Sequence, residues 1–216
     1  MFGANYTDGG ILNYRLNYRS AEEINSAMGR VYGHMGLAVL VSMIVSYFVG
    51  TSPELLKFFF TGAMKWVVIF APLVAVFGVS MVLGSNPSKP IAQLCLHGFA
   101  ALMGLSFSMI FAVYQMGSIV NAFMGAAVLF GVLSFYGYFT KKNLDSLGKF
   151  MLVGLIAIVI ASIINIFVGS SVGQMVISAL AIIIFLGLTA YDTQKIREDL
   201  SIETSDAAEV RGALSL

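Results

Sequence analysis

The 216-residue sequence contains 58% hydrophobic and only 11% charged residues, whereas soluble domains carry roughly 25% charged residues. Its mean hydropathy of +0.89 indicates a chain that is embedded in a lipid bilayer. The net charge of +1 supplies no basic surface for nucleic acid, and a single cysteine, Cys95, excludes an internal disulfide or a multi-cysteine metal site.

Long runs without charged residues predict six membrane-spanning helices, because one span needs roughly 20 apolar residues. The runs at residues 90–140 and 150–191 are each long enough for two helices, and polar, glycine-bearing breaks at residues 115–118 and 169–173 divide them. The runs are continuously apolar rather than alternating, which excludes a β-barrel and predicts an all-α fold. The four runs are residues 31–52, 66–83, 90–140 and 150–191.

The basic residues predict the orientation of the chain. Ten of the 12 lysines and arginines, Arg15 among them, fall on one side of the six spans, and only Lys57 and Lys65 fall on the other. By the positive-inside rule both termini are cytoplasmic. The first thirty residues are polar and contain no signal peptide, so we expect a bacterial inner or plasma membrane, or the endoplasmic reticulum of a eukaryote.

The predicted organisation has three parts, all in one helical bundle without a soluble domain. Residues 1–30 form a cytoplasmic N-terminal segment, and residues 31–192 form the six-helix transmembrane bundle. Residues 193–216 form a cytoplasmic tail that leads to the expected start of a seventh helix.

Asp192 is the most informative polar residue, because it closes a stretch of more than forty uncharged residues. In one interpretation the helix continues, and Asp192 is an interfacial acid that pairs with Lys195. In the other, Asp192 lies inside the bundle at the cytoplasmic end of a polar path, with Ser178 and Thr189 near the same helix face. Ionisable residues at membrane depth are candidates for ion binding or gating, and both interpretations remain open.

The remaining polar residues of the spans are candidates for a pathway or for proton sensing. His34 and His97 are predicted near the cytoplasmic side and could titrate near neutral pH, although a hydrogen bond to a neighbour is the commoner role of a lone membrane histidine. Thr189 and Asn165 complete this candidate set, and interhelical hydrogen bonding is the favoured role of Asn165. Asp145, between lysines, is expected to cap the following helix.

Motifs typical of enzymes are absent from the sequence, which contains no His-Glu-x-x-His, Gly-x-Ser-x-Gly or P-loop pattern. Tyr191-Asp192 matches one half of the intramembrane aspartyl protease signature, but the other half, Gly-x-Gly-Asp, is missing. We therefore expect neither enzymatic activity nor a cofactor.

Two stretches resemble the transmembrane Bax inhibitor motif family in its bacterial branch. Residues 187–195, Gly-Leu-Thr-Ala-Tyr-Asp-Thr-Gln-Lys, are similar to the family signature at the end of helix six. Residues 134–142, together with Asp145 and residues 147–148, are similar to the corner between helices four and five. The resemblance extends from about Val31 onward. It implies a bacterial inner-membrane protein that forms a seven-helix bundle with the last helix at its centre.

The same resemblance implies two aspartates, on helices six and seven, that share a proton and gate a pH-sensitive calcium leak. Asp192 matches the first aspartate, and no residue before Leu216 matches the second. Either helix seven is missing from this sequence or the pair is broken here. Two adjacent carboxylates cannot both ionise cheaply, whereas Asp192 alone would bind calcium weakly, since the ion takes 6–8 oxygen ligands.

We therefore expect a calcium leak channel gated by protonation of Asp192, whose partners are lipid, calcium ions and protons. The alternative, which the resemblance also permits, is a non-conducting regulator in stress survival. Such a regulator would bind other membrane proteins, such as a quality-control protease.

Overall fold

The computed structural model describes residues 19–202 and 206–216, without the side chains of residues 206 and 207, and every regular element in these ranges is a helix. Six of the helices are long and apolar enough to cross a membrane, which confirms the all-α membrane fold. The helices are α1 (Ala21–Gly50), α2 (Pro53–Phe60), α3 (Met64–Gly84), α4 (Lys89–Val113), α5 (Met116–Phe139), α6 (Asp145–Val168), α7 (Ser171–Ile202) and α8 (Asp206–Ser215).

Helix α1 begins ten residues before the apolar run that predicted it. The Ser20 hydroxyl accepts a hydrogen bond from the Glu23 amide at 3.2 Å, and the Glu23 carboxylate accepts one from the Ser20 amide at 2.7 Å. This capping box starts the helix at Ala21, because an apolar run marks only the part of a helix that lies in lipid. Residues 1–18 of the predicted N-terminal segment, Arg15 among them, lie outside the described residues.

The described residues after Asp192 are mostly helical and pack into the bundle. Helix α7 continues past Asp192 to Ile202, and α8 packs against α1 and α4 with Val210 fully buried. The C-terminal residues of α8, Ala213, Leu214 and Leu216, line an apolar cavity of about 760 Å³ between α1, α4 and α5. Helix α8 thus belongs to the helical bundle.

Glycines allow the closest helix contacts in the bundle. At Gly104 of α4 an added Cβ would overlap the Ser42 backbone of α1, and at Gly137 of α5 it would overlap the Ala190 backbone of α7. Small residues let backbones approach in this way in lipid, where apolar side chains gain little by leaving the solvent. These contacts fix how α1 meets α4 and how α5 meets α7.

The corner between α5 and α6 differs from the expectation at Asp145. Asp145 is the first residue of α6 and not its cap, because Leu144 occupies the cap position without a side-chain hydrogen bond. Asn143 binds both groups of Asp145: its Oδ1 accepts from the Asp145 amide at 2.7 Å, and its Nδ2 donates to Oδ2 at 3.0 Å. The capping prediction was wrong, because asparagine two residues earlier forms the turn instead.

Candidate functional site

The segment of α7 that contains Asp192 is held between α5 and α6. The Ala190 backbone lies against Gly137 of α5, and the Tyr191 ring covers Gly148 of α6, where an added Cβ would lie 2.5 Å from ring atoms. Two successive residues of α7 are therefore fixed against two different helices. The rotation of α7 about its own axis is set by these contacts, and with it the direction of Asp192.

Asp192 lies on the face of α7 that looks into the bundle. Ile196, one turn further along, is 6% exposed and faces α8, since an added Cβ at Gly212 would lie 3.0 Å from its Cγ2 and 3.3 Å from Val31 of α1. Side chains four residues apart share a helix face, so Asp192 shares this interior face with Ile196. Asp192 itself is half-buried, and its neighbour Thr193 is fully buried.

Lys195 is not the partner of Asp192. The Lys195 ammonium pairs with the Asp199 carboxylate at 3.3 Å on the exposed side of α7, as side chains four residues apart commonly do. Within the described residues no hydrogen-bond donor or cation reaches the Asp192 carboxylate. The interpretation of Asp192 as the acid of a surface ion pair with Lys195 was wrong, and the interior interpretation remains.

The two histidines lie on helices that pack along each other, His34 on α1 and His97 on α4. The Nδ1 atom of His97 is buried and has no hydrogen-bond partner among the described residues. Both histidines thus lie on helices other than α7, which carries Asp192.

The other two candidate residues have partners within their own helix or hairpin. The Thr189 hydroxyl donates to the carbonyl of Phe185 at 2.8 Å, one turn back in α7. Asn165 donates to the Ser170 carbonyl at 3.2 Å and to the Gln174 side chain at 3.3 Å, and so fastens the turn between α6 and α7. Asn165 lies 17 residues along α6 from Gly148, about 25 Å from the level of Asp192.

A buried carboxylate on α8, Glu209, was not singled out from the sequence. It is 2% exposed and accepts two hydrogen bonds from Arg30 of α1, at 2.8 Å each, while Arg19 lies 3.5 Å away. We call Glu209, Arg30 and Arg19 the Glu209 clasp. The residues are about 180 positions apart in sequence, so no local pattern could have shown that they meet.

The charges of the Glu209 clasp keep its carboxylate ionised. Burial opposes ionisation, but the hydrogen bonds and charge of Arg30, with the charges of Arg19 and Lys89, hold the pKa of Glu209 below its ordinary value. Two-pronged arginine–carboxylate bonds are among the strongest in proteins. A second link joins α8 to the end of α3, where Arg211 donates to the Leu83 carbonyl and to Asn86 at 3.0 Å each.

Gln194, within the signature stretch, fastens α7 to the loop between α5 and α6. Its Oε1 accepts from the Leu144 amide and its Nε2 donates to the Lys142 carbonyl, each at 2.9 Å. An amide side chain serves here because it can donate and accept at once. The two stretches that carry the family resemblance are thus joined directly, two residues from Asp192.

The described residues contain no group of three or more His, Cys, Asp or Glu side chains that could hold a metal ion. Calcium at Asp192 would therefore meet a single carboxylate from this part of the chain. That is few of the 6–8 oxygens that calcium takes, so any contact with the ion would be weak and short-lived.

Comparison with known proteins gives the family. Residues 24–216 match the family described as "Inhibitor of apoptosis-promoting Bax1". The chain is 33% identical to the inner membrane protein YbhL of Escherichia coli K12 over 200 residues, which are 89% of this chain and 85% of that protein. It is 32% identical to an uncharacterized protein of Deinococcus radiodurans over 202 residues, 92% of this chain and 86% of that protein.

A third relative is the protein YrjE of Lactococcus lactis, which is 33% identical over 207 residues, 91% of this chain and 86% of the relative. No solved structure matches. The names of these relatives describe membrane or uncharacterized proteins and no enzyme. With its six apolar helices, the chain belongs to the Bax inhibitor family and is a multi-pass protein of the bacterial inner membrane.

Proposed function

We propose that the protein is a cation leak channel for calcium and that protonation of Asp192 gates it. The observation that carries this proposal is the position of Asp192: a half-buried carboxylate on the interior face of α7, which does not pair with Lys195. A charged group at membrane depth costs free energy unless it serves a partner or water. A cation passing through the bundle is the partner that fits a lone carboxylate.

The protonation state of Asp192 determines whether calcium flux rises or falls with pH. A protonated carboxyl group is neutral and does not attract a cation, whereas the ionised form attracts one strongly where the surroundings screen poorly. Flux should therefore rise as Asp192 loses its proton, that is, as the pH increases. Weak binding suits a leak, because an ion that is held tightly does not leave.

We also propose that both termini face the cytoplasm, so that Asp192 stands near the cytoplasmic end of the path. The support is the unequal distribution of lysines and arginines between the two sides of the spans. In this orientation the Glu209 clasp also lies on the cytoplasmic side, because α8 follows α7 at its C-terminal end.

The test is calcium flux into proteoliposomes that contain the full chain, measured with a trapped calcium dye over a pH series. Asp192→Asn removes the titrating proton while keeping the shape of the side chain, and we expect it to abolish the pH dependence. The matched control is Asp199→Asn, an exposed acid on the same helix, which should behave like the wild type.

Two results would overturn the proposal. One is a pH dependence of flux that persists in Asp192→Asn at the wild-type amplitude. The other is a folded wild-type protein that carries no calcium at any pH, which would instead favour a non-conducting regulator that binds other membrane proteins, such as a quality-control protease.

A further inference from the structure

A crevice of about 570 Å³ separates the N-terminal part of α1 from the C-terminal part of α5. Ten residues line it, all from these two helices, and five of them are aromatic. We propose that this α1–α5 crevice binds one anionic phospholipid from the leaflet on the N-terminal side of the membrane. The crevice is separate from Asp192, and the inference does not depend on the proposed channel function.

The lining of the crevice changes from polar to apolar along its length, in the order of the phosphate, glycerol unit and acyl chain of a phospholipid. At its outer end Tyr138 donates a hydrogen bond to the Asn25 carbonyl oxygen, which leaves the Asn25 Nδ2 group to donate to a phosphate. One turn deeper, about 6 Å along α5, lies Ser134. Deeper again the lining is formed by the rings of Tyr32 and Phe130, which pack edge to face with their centres 6.4 Å apart and offer an apolar surface to an acyl chain.

Ser134 supplies an observation that points to a ligand. It is only 5% exposed, and its hydroxyl has no hydrogen-bond partner among the described residues. An unpaired buried hydroxyl is unfavourable, and Ser134 lines the crevice. The ester carbonyl of a phospholipid accepts a hydrogen bond, and the glycerol unit spans the step from the phosphate to that carbonyl.

The charge at the outer end favours an anionic headgroup. The guanidinium of Arg197 on α7 lies 5.0 Å from the centre of the Tyr138 ring and donates to the Tyr138 carbonyl at 2.9 Å. Its side chain is otherwise exposed. Lys141 and Lys142 are exposed just after α5 ends. Basic residues between helices at a membrane surface are typical of sites for anionic lipid headgroups.

The test is native mass spectrometry of the full chain, purified and incubated with phosphatidylglycerol or phosphatidylcholine of identical acyl chains. We expect the wild type to retain one phosphatidylglycerol about fivefold better than phosphatidylcholine, the effect of about one basic residue at an anionic surface. Arg197→Gln should clearly lower this preference by weakening the retention of phosphatidylglycerol, while the retention of phosphatidylcholine stays unchanged.

Filling the crevice should remove the lipid altogether. Gly131 lines the crevice, and an added Cβ there meets nothing within 4 Å, so leucine fits and occupies the space. Gly131→Leu should lose the bound phosphatidylglycerol. The matched control is Gly125→Leu, on the same helix, equally open at Cβ and outside the crevice, which should retain it.

The proposal is overturned if the wild type retains both lipids equally, or neither, or if a folded Gly131→Leu keeps phosphatidylglycerol at the wild-type level. Should Gly131→Leu lose its helical circular dichroism, Arg197→Gln decides alone. In that case, an unchanged preference for phosphatidylglycerol over phosphatidylcholine overturns the assignment.

Discussion

Asp192 on α7 and Glu209 on α8 are both acids that are at least half shielded from water, yet their surroundings differ. Glu209 is 2% exposed and is held by two arginines, whereas Asp192 is half-buried and its nearest lysine in sequence pairs with another acid. Burial of a carboxylate therefore does not by itself indicate its role. The presence of a counter-charge decides whether the acid fastens the structure or remains able to exchange a proton.

Helices α7 and α8 are also held in the bundle by two different kinds of contact. Helix α7 is positioned by close backbone contacts at Gly137 and Gly148 and by the two hydrogen bonds of Gln194. Helix α8 is positioned by charge, through the Glu209 clasp on one side and Arg211 on the other. Changes to the clasp should therefore affect stability, and changes at Asp192 should affect the response to pH.

The largest effect on stability is expected from Glu209→Ala. It leaves Arg19 and Arg30 facing each other without their acid, and losing one partner of a buried ion pair costs about 3–5 kcal/mol. Because Arg30 is 46% exposed and can turn to water, we expect a value near the lower end. The measurement is reversible unfolding of the purified protein in mixed micelles.

The control for that measurement is Asp199→Ala, which breaks an exposed ion pair and should cost less than about 0.5 kcal/mol. Equal losses in the two variants would contradict the distinction between a buried clasp and a surface pair.

A smaller effect is expected when the clasp is weakened by acid. Because the pKa of Glu209 is lower in the folded protein than in the unfolded chain, its contribution is fully present above the ordinary glutamate value of about 4.3. That contribution is lost as the pH falls through the lower folded-state value. The wild type should thus lose stability more steeply below pH ~4 than Glu209→Gln, when thermal unfolding is followed over a pH series. Parallel curves for the two proteins would show that Glu209 does not titrate as the clasp requires.

Much of the fold follows from the sequence because lipid imposes a simple rule on it. The six spans and the breaks near residues 115 and 169 could be predicted from run length and glycine. The start of α1 at Ala21 could not, since a helix can continue beyond its apolar part into water. The continuation of α7 past Asp192 was one of the two interpretations of the sequence, but its end at Ile202 was not predicted. Hydropathy therefore indicates which residues lie in the membrane and not where a helix begins or ends.

The candidate site could be predicted only in part. Asp192 was found from its charge alone, and its place on an interior face depends on contacts of Ile196 with α8 that lie beyond any local pattern. The Glu209 clasp and the crevice with Ser134 are formed by residues more than 100 positions apart. Pairing across such distances is a property of packing, which a single sequence does not display.

Gating by Asp192 is tested most directly by an infrared titration of this residue in lipid, as the difference between wild type and Asp192→Asn. We expect a protonated-carboxyl band that disappears over the same pH range in which calcium flux rises. A band that is absent throughout that range, or that disappears in a different pH range, would contradict the claim that this proton gates the channel.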